Sequence, residues 1–161
     1  MRSAELVKHI GSGAFGSVDL VDVTRPDGSL ARVARKTQLN SGEASARLVN
    51  QEARGMSLAA EGSPFVLKML GAFKRATTLE LFTEYAEGGS LDQKLDAAYR
   101  RCPQRDERPH LLLPLRRVAF CTLHALSGLH ARGMAHLDIK PDNLLLGGAY
   151  AHGSATYLPA G

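Results

Sequence analysis

Along the first half of the chain apolar residues tend to recur at every second position, and along much of the second half every three or four. Ser17-Val-Asp-Leu-Val-Asp-Val23 is β-branched and half alternating, which predicts a strand. Arg25-Pro-Asp-Gly-Ser29 is a turn signal and leads into a further strand, Leu30 to Thr37. Ser63 to Phe73 and Leu79 to Tyr85 predict two more strands, joined by a polar turn around Lys74 to Thr78. Between them the period changes. Leu48, Glu52 and Met56 are spaced by four with Val49 beside them, predicting a helix from Ser41 to Leu58. Ser41 is its expected N-cap and Glu43 lies in its first turn.

The second half is helical in pattern. Ser90-Leu-Asp-Gln93 is a capping box that opens a short helix to about Tyr99, with Leu91 and Leu95 inward. Arg100 to Leu113 is rich in charge and carries Pro103 and Pro109, a surface loop. A second helix is expected to begin at Pro114 and to end before Gly133. Its inner stripe is read as Leu115, Val118, Ala119, Leu123, Leu126 and Leu129. His124 and His130 have no metal-type spacing and are read as structural or solvated.

Composition narrows the classes. At 161 residues the chain is one domain's worth, and 44% hydrophobic with 22% charged residues is ordinary for a globular protein. The net charge of +4 suits a phosphate ligand but is too mild for nucleic acid, and no basic stripe with interleaved aromatics appears. Two cysteines, Cys102 and Cys121, make no disulfide framework, so reduced thiols in the cytoplasm or nucleus are expected. The amino terminus lacks the apolar core of a signal peptide, and no apolar run is long enough to span a bilayer, so no membrane partner is expected.

Three stretches carry chemistry. Ile10-Gly-Ser-Gly-Ala-Phe-Gly-Ser-Val18 has glycines at 11, 13 and 16, which let backbone amides approach phosphate oxygens without a Cβ in the way. A dinucleotide-binding fold would need a helix straight after them, and a Walker-type loop would need Gly-Lys-Ser/Thr; a strand follows instead. Strand, glycine loop and strand make a hairpin flap over phosphates. On the next strand Ala34 and Lys36, two apart, share a face: the small residue leaves room for a flat ring and the long one reaches further. Glu52 is a carboxylate on an apolar helix stripe and needs a cation, for which Lys36 is the obvious candidate; Glu43 is the weaker alternative to Glu52. The third stretch, Met134-Ala-His-Leu-Asp-Ile-Lys-Pro-Asp-Asn143, packs Asp138, Lys140 and Asn143 into six positions before the apolar run Leu144 to Leu146. A base, a cation and a metal-capable amide are the groups that move a phosphoryl group onto a hydroxyl.

On these residues the chain resembles the eukaryotic protein kinases of Ser/Thr type, over about residues 6 to 146. The match is the glycine loop, Val33-Ala-Arg-Lys36 against the family's Val-Ala-Ile-Lys, and His136, Asp138, Lys140 and Asn143 against the catalytic loop His-Arg-Asp-x-Lys-x-x-Asn. The resemblance implies an α+β fold: a five-stranded antiparallel small lobe with one helix (1–85), a hinge (86–89), and the first helices and catalytic loop of a mostly helical large lobe (90–161). A whole domain of this family needs about 250 residues, so a truncated one is expected.

The implied activity is ATP-dependent phosphorylation of a protein serine or threonine. Asp138 would orient or deprotonate the acceptor hydroxyl, Lys140 steady the γ-phosphate, and Asn143 bind one Mg²⁺. Lys36 and Glu52 would set the α- and β-phosphates, with Ile10, Gly11, Gly13, Gly16, Val18 and Ala34 around the nucleotide. Thr83 would be the gatekeeper, and backbone groups of Glu84 and Ala86 would bond adenine. His136 is expected to be a packing scaffold. Two departures matter. Leu137 stands where most members have an Arg that binds a phosphorylated loop, so no such phosphate switch is expected. From Gly147 to Gly161 there is no Asp or Glu, so the metal-binding Asp-Phe-Gly triplet is missing, although Gly153 to Pro159 faintly resembles the end of an activation segment. Catalytic competence is therefore in doubt, and the alternatives are an inactive pseudokinase-like module that binds nucleotide or protein, or a gene fragment.

Overall fold

The computed structural model describes residues 4–13, 16–101, 112–147 and 156–157. In order the elements are β1 (Ala4–Gly13), β2 (Gly16–Thr24), β3 (Leu30–Leu39), α1 (Glu43–Gly62), β4 (Met69–Lys74), β5 (Thr78–Glu84), α2 (Leu91–Arg101) and α3 (Leu112–His130). A single 3₁₀ turn, Pro141–Asn143, and two short strands, β6 (Leu145–Leu146) and β7 (Thr156–Tyr157), follow. Most of the Arg100 to Leu113 loop, Cys102 included, lies outside the described residues, as does most of Gly153 to Pro159. No helix among the described residues is long and apolar enough to cross a membrane.

The chain divides into two compact units, one of Met1–Ser57 with Lys68–Tyr85, the other of Leu58–Leu67 with Ala86–Gly161. The first holds an all-antiparallel sheet in the order β1-β2-β3-β5-β4. Its register puts Val18, Leu20, Ala34, Lys36, Leu81 and Thr83 on one face, because Val18 is paired with Lys36, Lys36 with Leu81 and Ala34 with both Leu20 and Thr83. Alternation sends Val21, Val23, Val33 and Phe82 to the other face, where they form a buried cluster. Val49 and Ala53 of α1 pack with Leu79 and Leu81 in a second cluster. Gly16 closes the β1–β2 hairpin at φ +122°, and a Cβ there would strike the Thr37 carbonyl, so only glycine fits.

In the second unit the end of α1, α2 and α3 bury one cluster that includes Ala59, Val66, Leu91, Val118, Ala125, Leu129 and Leu146. The capping box forms reciprocally: the Ser90 N–H donates to Gln93 Oε1 at 3.2 Å and the Gln93 N–H to Ser90 Oγ at 3.3 Å. Gly88 N–H donates to the Leu146 carbonyl and Leu146 N–H to that of Gly89, both at 2.8 Å. A Cβ on Gly88 would come within 2.5 Å of that Leu146 oxygen, so the close backbone approach needs glycine.

Four boundaries and one stripe differ from the sequence reading. Helix α1 begins at Glu43 rather than next to Ser41 and runs four residues past Leu58. Gly42, at φ +116°, precedes it, so glycine rather than serine occupies the residue before the first turn. Strand β4 begins only at Met69, since Pro64 has no N–H to give a ladder and the stretch before it turns instead, Val66 N–H donating to the Ser63 carbonyl. Helix α3 starts two residues before Pro114. Its inward positions are Val118, Cys121, Ala125 and Leu129, whereas Ala119 and Leu123 are exposed. A helix apolar nearly all round carries no unambiguous stripe, so packing chose a face the pattern did not specify.

Candidate active site

Within the first unit the third strand and the helix bring two predicted residues together. Lys36 Nζ donates to Glu52 Oε1 at 2.7 Å, with both side chains mostly shielded. The bond is short, the geometry of a close Lys–carboxylate pair. Glu43 instead faces Arg47 one turn along, at 3.6 Å on the open helix surface, which leaves Glu52 as the partner of Lys36. Lys36 shares its sheet face with Val18 and Ala34, so a cation, a small residue and a β-branched side chain line one surface. Gly11 and Gly13 lie in the hairpin that overhangs β2, and a side chain added at either would meet nothing within 4 Å. Ile10 beside them is exposed. At the end of β5 the Glu84 N–H donates to the Lys68 carbonyl at 3.0 Å, while its carboxylate accepts the Lys68 N–H at 2.7 Å.

The second unit assembles the other set. Asn143 Nδ2 donates to the Asp138 backbone carbonyl at 2.9 Å and to its Oδ2 at 2.8 Å. Lys140 Nζ lies 3.0 Å from the same Oδ2. The hydrogen bond from Lys140, and after it the one from Asn143, holds the Asp138 carboxyl below the usual carboxylate range. Asp138 is therefore ionised at neutral pH and can accept a proton or a hydroxyl hydrogen bond. The 3₁₀ turn fixes this cluster locally: Asn143 N–H donates to the Lys140 carbonyl at 2.9 Å, and Pro141 takes the first helical position. His136 is only 5% exposed and its Nδ1 accepts the Asp138 N–H at 3.3 Å, so it braces the loop from inside. Leu137 is 94% exposed and holds φ 62°, a left-handed conformation uncommon for a bulky side chain. Ala86 is buried in this same unit.

The donors fit a nucleotide better than a resident divalent ion. A Lys36 paired with a carboxylate, beside a glycine hairpin with space around it, suits phosphate oxygens. Magnesium prefers several hard oxygens in octahedral array. In this loop Oδ2 of Asp138 already receives two donors, and no group of three His, Cys, Asp or Glu among the described residues could hold a metal.

Sequence reasoning missed one cluster. His9, Asp19 and Arg35 stand opposite one another across β1, β2 and β3, and Ser12 joins them. An alternating polar pattern with His9 and Asp19 on facing strands was the available signal; the bulge that aims Ser12 was not readable.

Comparison with known proteins shows the family. The family described as "Protein kinase domain" matches residues 4–151. The chain belongs to that family. It is 33% identical over 145 residues to the probable cAMP-dependent protein kinase catalytic subunit of Encephalitozoon cuniculi, covering 88% of this chain and 41% of the relative. Serine/threonine-protein kinase cek1 of Schizosaccharomyces pombe is 33% identical over 144 residues, 88% of this chain and 10% of that protein. Aurora kinase A-A of Xenopus laevis is 30% identical over 145 residues, 89% of this chain and 32% of that protein. The chain thus spans less than half the length of these relatives.

Proposed function

We propose that the chain works as part of an ATP-dependent protein serine/threonine kinase, and that its own residues grip the nucleotide more completely than they catalyse transfer. The observation that carries this reading is the 2.7 Å Lys36–Glu52 pair on the sheet face shared with Ala34. Residues 1–85 correspond to the small lobe, 86–89 to the hinge and 90–161 to part of the large lobe. Lys36, held by Glu52, offers its ammonium to α- and β-phosphate oxygens, and the amides around Gly11, Gly13 and Gly16 cover them. Ile10, Val18 and Ala34 bound the adenine, and backbone groups of Glu84 and Ala86 bond it.

Asp138, ionised and fixed by Asn143, orients the acceptor hydroxyl and takes its proton. Lys140 balances charge on the transferring group. Mg²⁺ would be held by Asn143 alone among the residues assigned here, so no step is derived through it. Losing one stabiliser of transition-state charge typically costs about 10²–10³-fold in rate. The thin metal donor set favours a second reading, a pseudokinase-like module that binds nucleotide or a protein partner without turnover. The acceptor is a protein hydroxyl, and the sparse cysteines suit the cytoplasm or nucleus.

One assay separates the readings. Titrate the purified chain with ATP and Mg²⁺ by calorimetry, and follow phosphate transfer to a generic basic protein. Transfer that disappears in Asp138→Asn establishes the kinase; binding without transfer establishes the inactive module; a folded chain that does neither refutes both.

A further inference from the structure

We propose that Ser12, His9 and Asp19 form a relay that makes the Ser12 hydroxyl an activated nucleophile, a covalent modification site for phosphoryl electrophiles on the β1–β2 hairpin. His9 Nδ1 lies 3.0 Å from Asp19 Oδ1, and Ser12 Oγ lies 2.9 Å from His9 Nε2. These distances are those of a nucleophile and base within hydrogen-bond reach, with the base oriented by a third group. The proton positions follow from the acceptor inventory. A carboxylate only accepts, so Nδ1 of His9 carries the hydrogen, and Nε2 of the neutral ring is left to accept from the Ser12 O–H. Arg35 donates to the other Asp19 oxygen at 3.0 Å and pins the carboxylate in place. Asp19 is therefore a positioning residue that sets the tautomer of His9.

Ser12 stands three positions after His9 on one strand, where regular alternation would send it to the opposite face. The β1–β2 register slips between His9 and Gly11, and this bulge turns Ser12 back onto the face of His9 and Asp19. That face is opposite to the one carrying Ala34 and Lys36, since Asp19 is paired with Arg35. The relay's side chains thus stand on the sheet face opposite Ala34 and Lys36, although Ser12 itself lies in the glycine hairpin assigned to phosphate. It is also accessible: His9 is half exposed, and side chains added at Gly11 or Gly13, on either side of Ser12, would meet nothing within 4 Å.

The chemistry balances with a phosphoryl donor bearing a good leaving group. Ser12 Oγ forms a bond to phosphorus as the bond from phosphorus to the leaving atom breaks, and the hydroxyl proton passes to His9 Nε2. The probe is an alkyl fluorophosphonate, from which fluoride leaves. The folded chain, free of nucleotide, is treated with it, and adducts are followed by intact mass and located by peptide mapping. The expected result is one adduct on Ser12, forming faster than on the urea-unfolded chain and about 100-fold slower in His9→Gln. If His9→Gln fails to fold by circular dichroism, Asp19→Asn, which should slow labelling, and Asp19→Glu, which should restore it, decide the matter. Labelling no faster than in the unfolded chain, or unchanged in a folded His9→Gln or Asp19→Asn, would overturn the proposal.

Discussion

The two compact units carry their candidate chemistry in different ways. In the first, Lys36 and Glu52 come from separate elements, a strand and a helix sixteen residues apart, and meet because sheet register and helix packing both demand it. In the second, Asp138, Lys140 and Asn143 come from one six-residue stretch and are held by its own turn. The first arrangement tests the tertiary fold, while the second tests local backbone geometry. That difference predicts that damage to the sheet parts Lys36 from Glu52, whereas the loop's cluster depends mainly on Pro141, His136 and the 3₁₀ turn.

Core truncation should separate the units most sharply. Phe82→Ala empties the buried cluster of the sheet, and Leu146→Ala a fully buried position of the helical unit. Each should cost about 3–5 and 2–5 kcal/mol respectively. Hydrogen exchange by mass spectrometry should show protection lost first around β2, β3 and β5 in one variant and around α2 and α3 in the other. Loss spread equally through both units in either variant would break the distinction.

Next in size come the two glycines that permit close backbone approaches. Gly16→Ala and Gly88→Ala should each destabilise by about 1–3 kcal/mol, the first through a positive φ and a collision with Thr37, the second by pushing Leu146 away. Urea melts check both. Gly11→Ala, in open space, should leave the melt nearly unchanged.

Smaller still is the cap of α2. Ser90→Ala removes the acceptor for the Gln93 N–H and should cost about 1 kcal/mol, read as a lower urea midpoint, with Ser90→Asp restoring it.

The smallest effect is electrostatic. The hydrogen bond from His9, with help from Arg35, holds the Asp19 carboxyl below the ordinary range against the opposing effect of burial. A depressed carboxyl contributes stability that is complete above its unfolded value, about 3.9, and is lost as pH falls through the lower folded value. Urea midpoints should therefore drop between pH 5 and pH 3, and the drop should shrink in Asp19→Asn.

Much of this was legible in the chain. Period-two patterning and the Arg25–Ser29 turn gave the strands of the sheet, and the spacing of Lys36 and Glu52 gave their pairing, because an acidic residue on an apolar stripe has few affordable partners. The capping box at Ser90 was readable because its bonds are local. The start of α1 was not, since Ser41 and Gly42 offer competing ends. The buried stripe of α3 was hidden by apolar residues on all sides. The Ser12–His9–Asp19 relay depends on a bulge, which no side-chain pattern announces.

Calorimetry of ATP binding to the unaltered chain and to Lys36→Met, with Mg²⁺ present or chelated, tests the central claim most directly. The account predicts measurable binding that changes little on chelation and weakens at least tenfold in Lys36→Met, a loss of about 1.4 kcal/mol or more. Binding that needs the metal absolutely, or that Lys36→Met leaves intact in a folded chain, would contradict it.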